Sequence, residues 1–331
     1  MGETSLNTLH LLATDPTAVV QAAELARDGQ LVAVPTETVY GLAADANQPD
    51  AVKKIFAAKG RPADHPLIVH VADKSLVPQW AEALPDYFET LATAFWPGPL
   101  TIVAKKQPHV SDIVTGGHAT VGIRVPDHPA MLALLKQLNS GLAAPSANPY
   151  KKISPTTAEQ VLFGLSGKIA AVLDGGPCEV GLESTIVDIS SATPRILRAG
   201  PITKAELESA LKMEVEEPDV HTVAVPGNVK AHYQPSKRLT VLSTEALISR
   251  LSNCEHNTGV LYYSSKVATV VAEKELVDLK LGAEKAKYAQ GLYYGLHQLD
   301  QSSATEILLE APPSTEKWRD VNDRLMRAAA Q

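Results

Sequence analysis

The segment from residue 31 to residue 71 constrains the fold more than any other part of this sequence. It contains two short apolar runs, 31–34 and 67–71, which have the length and character of buried strands. Between them lies a predicted helix, with Asp50 as its N-cap and Gly60 as its C-terminal stop. A strand, a helix and a second strand in this order predict an α/β fold, in which ligands bind where strands end.

The alternation of strand and helix patterns continues and predicts one large α/β domain over residues 1–212. Further strands are predicted at 100–104, 121–125, 142–144, 170–173, 186–189 and 195–198. Helices are predicted at 15–28, 76–84, 87–95, 130–138, 156–165 and 203–212, with a loop over 107–119 and a capping box of Thr156 and Glu159.

Residues 213–237 contain three prolines and no periodic pattern, so we predict a linker there. Beyond it, strands are predicted at 239–242, 259–263 and 307–309, and helices at 244–251, 284–298 and 318–330. This order predicts a smaller Rossmann-like domain with a parallel sheet over residues 238–331. Because G-x-G-x-x-G is absent, we assign no dinucleotide to it.

The charge of the chain argues against a long polyanion as its main partner. The net charge is −7 at pH 7. The cations near the motifs described below favour a small anion such as a nucleotide; they are Lys59, Arg61, Arg124, Lys151, Lys152 and Arg198. The two cysteines, Cys178 and Cys254, have no metal or redox spacing and indicate a reduced cytoplasm. We find no signal peptide and no apolar run of membrane-spanning length.

Several enzyme classes lose support because their motifs are absent. The sequence contains no Walker A loop, no G-x-S-x-G and no H-E-x-x-H. Nucleotide binding would therefore depend on side chains. Lys59 and Arg61 lie on either side of the helix stop and can point at one anion, Arg61 with a planar fork and Lys59 with a point charge. The alternative is an ordinary solvated helix end.

Three hydroxyl and amide residues follow later strands. Ser146 and Asn148 come after Pro145, which ends a predicted strand, so they either face a cleft or only form a turn. Ser154 precedes Pro155 and is equally well explained as the start of a helix.

Two histidines and an arginine lie in or beside apolar strands. His65 and His70 flank the run 67–71, and a histidine in such a place is more often a core residue than a ligand. Arg124 lies in an otherwise apolar strand, where an unpaired charge is costly. It needs an anion, which is either a protein carboxylate such as Glu37 or Glu183, or the carboxylate of a ligand.

A series of motifs runs along the first predicted domain: P-T-E-T-V-Y-G-L (35–42), K-G-R-P (59–62), H-P-L-I-V-H-V (65–71), F-W-P-G-P-L-T (95–101), T-V-G-I-R (120–124), A-P-S-A-N (144–148), E-S-T-I-V-D (183–188) and L-R-A-G-P (197–201). From about residue 8 to residue 210, their order resembles the YrdC-like domain of threonylcarbamoyl-AMP synthases. The paired K-x-R and S-x-N motifs are specific only in combination. Ala199, where proline is common, and Asn228, where methionine is frequent, depart from the family pattern.

The resemblance implies a twisted mixed sheet with helices in the first domain. It also implies a nucleotidyltransferase that converts L-threonine, bicarbonate and ATP into threonylcarbamoyl-AMP and pyrophosphate, for the t6A37 modification of tRNA. Mg²⁺ would accompany ATP without direct side-chain ligands. The product would pass to the downstream tRNA threonylcarbamoyltransferase machinery in the cytoplasm. No side chain stands out as a general base.

The resemblance assigns each site residue by its motif position. Lys59 and Arg61 would bind ATP and act in catalysis. The residues on the threonine side would be Thr38, His70, Arg124, Ser184 and the backbone of Ala144. The other residues on the ATP side would be His65, Thr120, Ser146, Asn148, Ser154, Arg198, His232 and Tyr233. Thr36 and Glu37 belong to the same motif as Thr38.

His232 and Tyr233 lie in the predicted linker, and two-domain relatives use this region to cover the nucleotide. We therefore predict that the linker crosses the active site and excludes water. The alternative is that the two rings only dock the linker onto one domain.

Two other functions remain open from the sequence. A YrdC-like module in hydrogenase-maturation proteins handles carbamoyl-adenylate, but those chains also carry zinc-finger cysteines. The second alternative is a double-stranded RNA-binding or ribosome-associated module. Salt-sensitive RNA binding without threonine-dependent pyrophosphate release would favour this function.

Overall fold

A computed structural model describes residues 6–218, 226, 231–253 and 257–330. Asn228 and Cys254, both named above, lie outside the described residues, as does part of the predicted linker. The chain divides into two compact units. Counting described residues only, the first comprises parts of 1–150, 155–178 and 183–228, and the second comprises parts of 151–154, 179–182 and 229–331.

The first unit contains ten strands and seven helices within its described residues. The strands are β1 (Leu9–Leu12), β2 (Val32–Val34), β3 (Gly41–Asp45), β4 (Ile68–His70), β5 (Leu100–Lys105), β6 (Thr120–Arg124), β7 (Leu142–Ala143), β8 (Ala171–Asp174), β9 (Thr185–Asp188) and β10 (Arg195–Arg198). The helices are α1 (Ala18–Arg27), α2 (Pro49–Lys59), α3 (Phe88–Phe95), α4 (Asp112–Thr115), α5 (Pro129–Leu138), α6 (Ala158–Leu165) and α7 (Lys204–Leu211).

The strands form one mixed sheet in the order β1-β8-β2-β3-β7-β4-β6-β5-β9-β10. β2 and β3 form an antiparallel pair, whereas β4 runs parallel to β6. Alternate residues of β2 face opposite sides of the sheet: Val32 and Val34 pack with α1 and α5, and Ala33 packs in the core that contains α2 and α3. The predicted α/β fold with a mixed sheet is confirmed.

The second unit contains a smaller, wholly parallel sheet. Its strands are β11 (Arg238–Leu242), β12 (Thr258–Tyr262), β13 (Val277–Lys280) and β14 (Glu306–Glu310), in the order β11-β14-β12-β13. Its helices are α8 (Thr244–Ser252), α9 (Ser265–Val271), α10 (Lys285–Gln301) and α11 (Arg319–Ala329). The predicted parallel α/β domain is confirmed, although β13 and α9 were not predicted.

Some local predictions are wrong. The predicted helix 76–84 is a short 3₁₀ helix, Lys74–Gln79, because Pro78 interrupts the helical hydrogen bonds. β3 was not predicted, and the loop 107–119 contains the one-turn helix α4. The first helix begins at Ala18, three residues later than predicted.

Two helix caps also differ from the prediction. Gln48 is the N-cap of α2, because Pro49 takes the first helical position. Thr157 caps α6 by accepting a hydrogen bond from the Gln160 amide, so the predicted box of Thr156 and Glu159 is wrong. Within the described residues, no helix combines the length and apolarity needed to span a membrane.

Candidate active site

Polar residues follow β2 directly and are buried. Thr36, Glu37 and Thr38 are at most 5% exposed. The Thr36 hydroxyl donates to the Val39 carbonyl over 2.6 Å, and the amides of Thr38 and Val39 donate back to it. These bonds hold the segment in a tight turn, so the Glu37 and Thr38 side chains have fixed directions.

Arg124 ends β6, and its guanidinium is fixed on three sides. Nη2 donates to Glu37 Oε1 over 2.5 Å, Nη1 to the Thr38 hydroxyl over 2.9 Å, and Nε to the Gly98 carbonyl over 3.1 Å. The other Glu37 oxygen accepts from the Asp127 amide. Glu37 is therefore the protein carboxylate that Arg124 requires. Two of its five N–H groups have no acceptor among the described residues, so they can bind a ligand.

His70 ends β4 and lies opposite Arg124 in the sheet register. It is 4% exposed, and its Nδ1 has no hydrogen-bond partner among the described residues. Burial, followed by the positive charge of Arg124, lowers the pKa of His70 to about 3. A neutral ring with one open nitrogen can take part in a hydrogen bond with a ligand without adding charge.

The burial of His70 predicts a specific acid sensitivity. Below pH 6.5 the unfolded chain protonates His70, whereas the folded protein does so only near pH 3. Between these values the free energy of unfolding should therefore fall with decreasing pH, by about 1.4 kcal/mol per unit from this residue. Urea unfolding of His70→Gln should show a shallower decrease over this window, and the two curves should run parallel above pH 7. Equal slopes below pH 6 would show that His70 is not buried as a neutral ring.

Lys59 and Arg61 lie on either side of Gly60, whose φ of +64° ends α2. The Lys59 ammonium donates to the carbonyls of Ser146 and Asn148, both over 2.5 Å. Burial, and then the charge of Arg61, hold the pKa of Lys59 well below its usual range. Lys59 is 4% exposed and Arg61 9%, so the alternative of a solvated helix end is wrong.

Arg61 faces the loop before β4. Its Nη2 donates to the Pro66 carbonyl over 3.0 Å. His65 is half-buried and meets the Tyr150 ring edge-on, with 5.7 Å between centroids. The Tyr150 amide in turn donates to the Lys59 carbonyl over 2.8 Å. The structure thus brings the K-x-R and S-x-N motifs together, with His65 beside Tyr150.

Ser184 and Arg198 form a second cluster. Arg198 donates through Nε and Nη2 to the Ser184 carbonyl over 3.1 and 2.9 Å, and through Nη2 to the Ser184 hydroxyl. That hydroxyl also shares a hydrogen bond with Thr101 over 2.8 Å. Arg198 Nη1 reaches the carbonyl of Pro226, a described residue of the predicted linker. A predicted ATP residue and a predicted threonine residue are therefore in direct contact.

Ala144 and Thr120 are placed by the sheet. The Ala144 amide donates to the Ile68 carbonyl over 3.0 Å, which positions the backbone segment that runs on to Ser146. Thr120 is half-buried and begins β6, and Arg124 ends the same strand. At about 3.3 Å per residue, these two side chains lie about 13 Å apart along the strand.

Three predicted ATP residues belong to the second unit: Ser154, His232 and Tyr233. The rings of His232 and Tyr233 meet edge-on at 4.1 Å, and Tyr233 stacks on Tyr293 of α10 at 5.7 Å. The guanidinium of Arg324 in α11 lies 5.5 Å from the Tyr233 centroid. Tyr233 therefore packs on helices of its own unit, and the His232 ring packs on Tyr233. Their role towards ATP, and that of Ser154, stays a prediction.

Cys178 is a residue of this site that the sequence analysis did not identify. Burial, followed by the negative charge of Glu37, raises the pKa of its thiol, and Thr36 and Arg124 also lie near it. The sequence signal was weak, because Cys178 only follows the Gly175-Gly176-Pro177 turn after β8.

No group of three or more His, Cys, Asp or Glu residues within the described ranges is arranged to hold a metal ion.

Comparisons with known proteins cover both units. A family model described as "Telomere recombination", for Sua5, YciO and YrdC proteins, matches residues 24–200. A second one, described as "Threonylcarbamoyl-AMP synthase, C-terminal domain", matches residues 202–330.

Relatives match over nearly the whole chain. The threonylcarbamoyl-AMP synthase of Bacillus subtilis is 39% identical over 96% of this chain and 94% of its own length. That of Pyrococcus abyssi is 37% identical over 93% of each. The crystal structure of P. abyssi Sua5 in complex with L-threonine superposes with a TM-score of 0.86 and 34% identity, over 97% of both chains.

Proposed function

Because the chain belongs to the threonylcarbamoyl-AMP synthase family, we propose that it joins L-threonine, bicarbonate and ATP into threonylcarbamoyl-AMP and releases pyrophosphate. The observation that carries this proposal is the state of Arg124. Its guanidinium is held rigidly by Glu37, Thr38 and Gly98, yet two of its five N–H groups have no acceptor among the described residues. A site of this kind suits the carboxylate of an amino acid.

The chemistry explains why the site is rich in cations. The threonine amine and bicarbonate form a carbamate with loss of water. A carbamate oxygen then bonds to the α-phosphorus of ATP as the bond to pyrophosphate breaks, which makes the enzyme a nucleotidyltransferase. Both reactants are anions, so the protein must supply positive charge and orientation.

The described residues suit these two tasks. We assign Arg124, Thr38, His70 and Ser184 to threonine, and Lys59, Arg61 and Arg198 to the triphosphate. Lys59 also holds the Ser146 and Asn148 carbonyls, which orients the turn that would meet the nucleotide. The contact between Arg198 and Ser184 joins the two substrate sides, so ATP and threonine should affect the binding of each other.

Mg²⁺ enters this proposal as part of the substrate, Mg–ATP. The described side chains form no multi-ligand cluster for an ion of their own. Mg²⁺ commonly keeps several waters and is held largely by substrate phosphates. We place the reaction in the cytoplasm, and we propose that a tRNA-modifying transferase consumes the labile product.

The direct test is pyrophosphate release by the full chain with each substrate omitted in turn. We expect release to require threonine, bicarbonate and ATP together, and mass spectrometry to detect threonylcarbamoyl-AMP. Serine should replace threonine poorly if the methyl group is recognised. Pyrophosphate release that ignores threonine would contradict the proposal. Salt-sensitive RNA binding without any turnover would instead support the RNA-binding alternative.

A further inference from the structure

Two short segments within the range of the large domain belong to the second compact unit: residues 151–154 and 179–182. Each leads to a candidate substrate residue. Ser154 is the last residue of the first segment, and Ser184 follows the second by two positions. The contacts that hold these segments therefore contribute to the placement of the two serines, in addition to the bonds of Ser184 to Thr101 and Arg198.

The backbone of helix α10 approaches the second segment closely. Gly181 has a φ of +81°, and a Cβ built on it would lie 2.6 Å from the Gln290 Cα and 2.8 Å from the Ala289 carbonyl oxygen. Real Cβ atoms do not approach backbone so closely. Only glycine permits this contact, both for its left-handed conformation and for its missing side chain.

The same helix contacts the first segment two turns further on. The partly exposed His297 faces the backbone of Ile153 and Ser154, which influence the pKa of its ring. Gln290 and His297 are seven residues apart, which places them on one face of the helix and about 10 Å apart along its axis.

The first segment is also held from its other side. The Gln234 amide donates to the Lys151 carbonyl over 2.8 Å, and Lys152 Nζ reaches the Ser236 hydroxyl over 3.3 Å. The Ser236 amide donates to Asp300 of α10 over 2.8 Å. Residues 234–236, which lead to β11, therefore link the first segment to α10.

The opposite face of α10 is fixed in the core of the small sheet. Leu292, Leu296 and Leu299 are fully buried. A Cβ added at Gly295 would lie 2.7 Å from a Leu261 methyl carbon of β12. A helix packed this closely cannot shift without disturbing the sheet, so it is a rigid support for the two segments.

We propose that α10 is a positioning element of the enzyme, in which Gly181 sets the segment leading to the threonine-binding Ser184 and His297 sets the nucleotide-binding Ser154. This inference rests on the proposed function. It assigns to the C-terminal unit a role in substrate affinity rather than only in stability.

The first test compares two glycines with the same φ of +81° and different surroundings. Gly181→Ala introduces a clash with α10, whereas a Cβ at Gly117 meets nothing within 4 Å. We expect Gly181→Ala to raise the threonine KM about tenfold or more and the ATP KM less, since a shift of even 1 Å in a positioning segment is costly. Gly117→Ala carries the same backbone strain and should leave both KM values unchanged.

The second test uses the partly exposed His297, so that it does not depend on whether Gly181→Ala folds. His297→Ala removes the ring that faces Ser154 and should raise the ATP KM about fivefold, with a smaller change for threonine. His297→Asn keeps a planar polar group near the same backbone and should restore most of the affinity. Gln298→Ala, at an exposed position of the same helix, is the control.

The outcomes separate this inference from the proposed function. A wild-type chain without threonine-dependent pyrophosphate release overturns the proposed function. An active wild type with unchanged KM values in His297→Ala, or in a folded Gly181→Ala, overturns the positioning role. A lower melting temperature with unchanged KM values would likewise show that α10 acts only on stability.

Discussion

Replacing Arg124 with alanine is expected to raise the threonine KM roughly thirtyfold and to destabilise the fold. The lost charge-assisted hydrogen bonds to the ligand carboxylate account for about 2 kcal/mol of binding. The same substitution leaves Glu37 buried and without its guanidinium, which should lower the free energy of unfolding by about 3–5 kcal/mol. Steady-state kinetics and urea unfolding measure the two effects separately.

A double variant separates binding from stability. In Arg124→Ala with Glu37→Gln the uncompensated charge is gone, so stability should largely return while the threonine KM stays high. Arg195→Ala is the matched control, because Arg195 also pairs with a buried carboxylate, Asp188, but outside the site. That control should lose stability without a change in either KM. If Arg124→Ala raises the KM for threonine and the KM for ATP equally, Arg124 is a structural residue and its assignment to threonine is wrong.

Replacing Arg61 with alanine is expected to lower kcat/KM for ATP by about a hundredfold, while Arg61→Lys should lower it by about tenfold. Lysine keeps the charge but not the planar fork that binds two phosphate oxygens at once. A hydrogen bond to a charged group contributes about 1.5–3 kcal/mol, which is consistent with the larger of these effects. The fold should survive, since the hydrogen bond that Arg61 donates to the Pro66 carbonyl joins two neighbouring loop positions rather than two strands of the core.

Lys53→Ala is the control for Arg61, because Lys53 lies on the exposed face of α2 and pairs with the exposed Asp50. It should leave kcat/KM for ATP unchanged, so a loss in both variants would indicate a general charge effect. Wild-type turnover in a folded Arg61→Ala protein would remove Arg61 from the ATP site.

The strands with long apolar runs were predictable from the sequence, and the exceptions have physical reasons. Four of the five residues of β3 are glycine, alanine or aspartate, which have low strand propensity, and the strand forms because β2 and β7 pair with it on both sides. Residues 76–84 have helical spacing but contain Pro78, and the proline limits them to a 3₁₀ turn. In β3, pairing with the neighbouring strands had more influence than the local sequence. In residues 76–84, the backbone restriction of proline had more influence than the helical spacing.

The candidate site was also predictable in part. Its motifs could be read in order, and the need of Arg124 for an anion followed from its place in an apolar strand. The choice among Glu37, Glu183 and a ligand stayed open, because sequence spacing does not order strands. Cys178 was not identified because its neighbours at the site come from the turn after β2 and from β6, far away in the chain.

The sequence by itself determined features that act over a few residues: the buried runs, the glycine stop after Lys59, and the types of side chain available at strand ends. The tertiary structure alone decided the partners. Glu37 and Arg124 are 87 residues apart, and Lys59 lies 87 and 89 residues from the two carbonyls that it binds. Propensity and periodicity reflect local backbone sterics and burial, whereas these contacts depend on how the ten strands are ordered in the sheet. That order results from the packing of the whole unit, so no local pattern could specify which cation meets which acceptor.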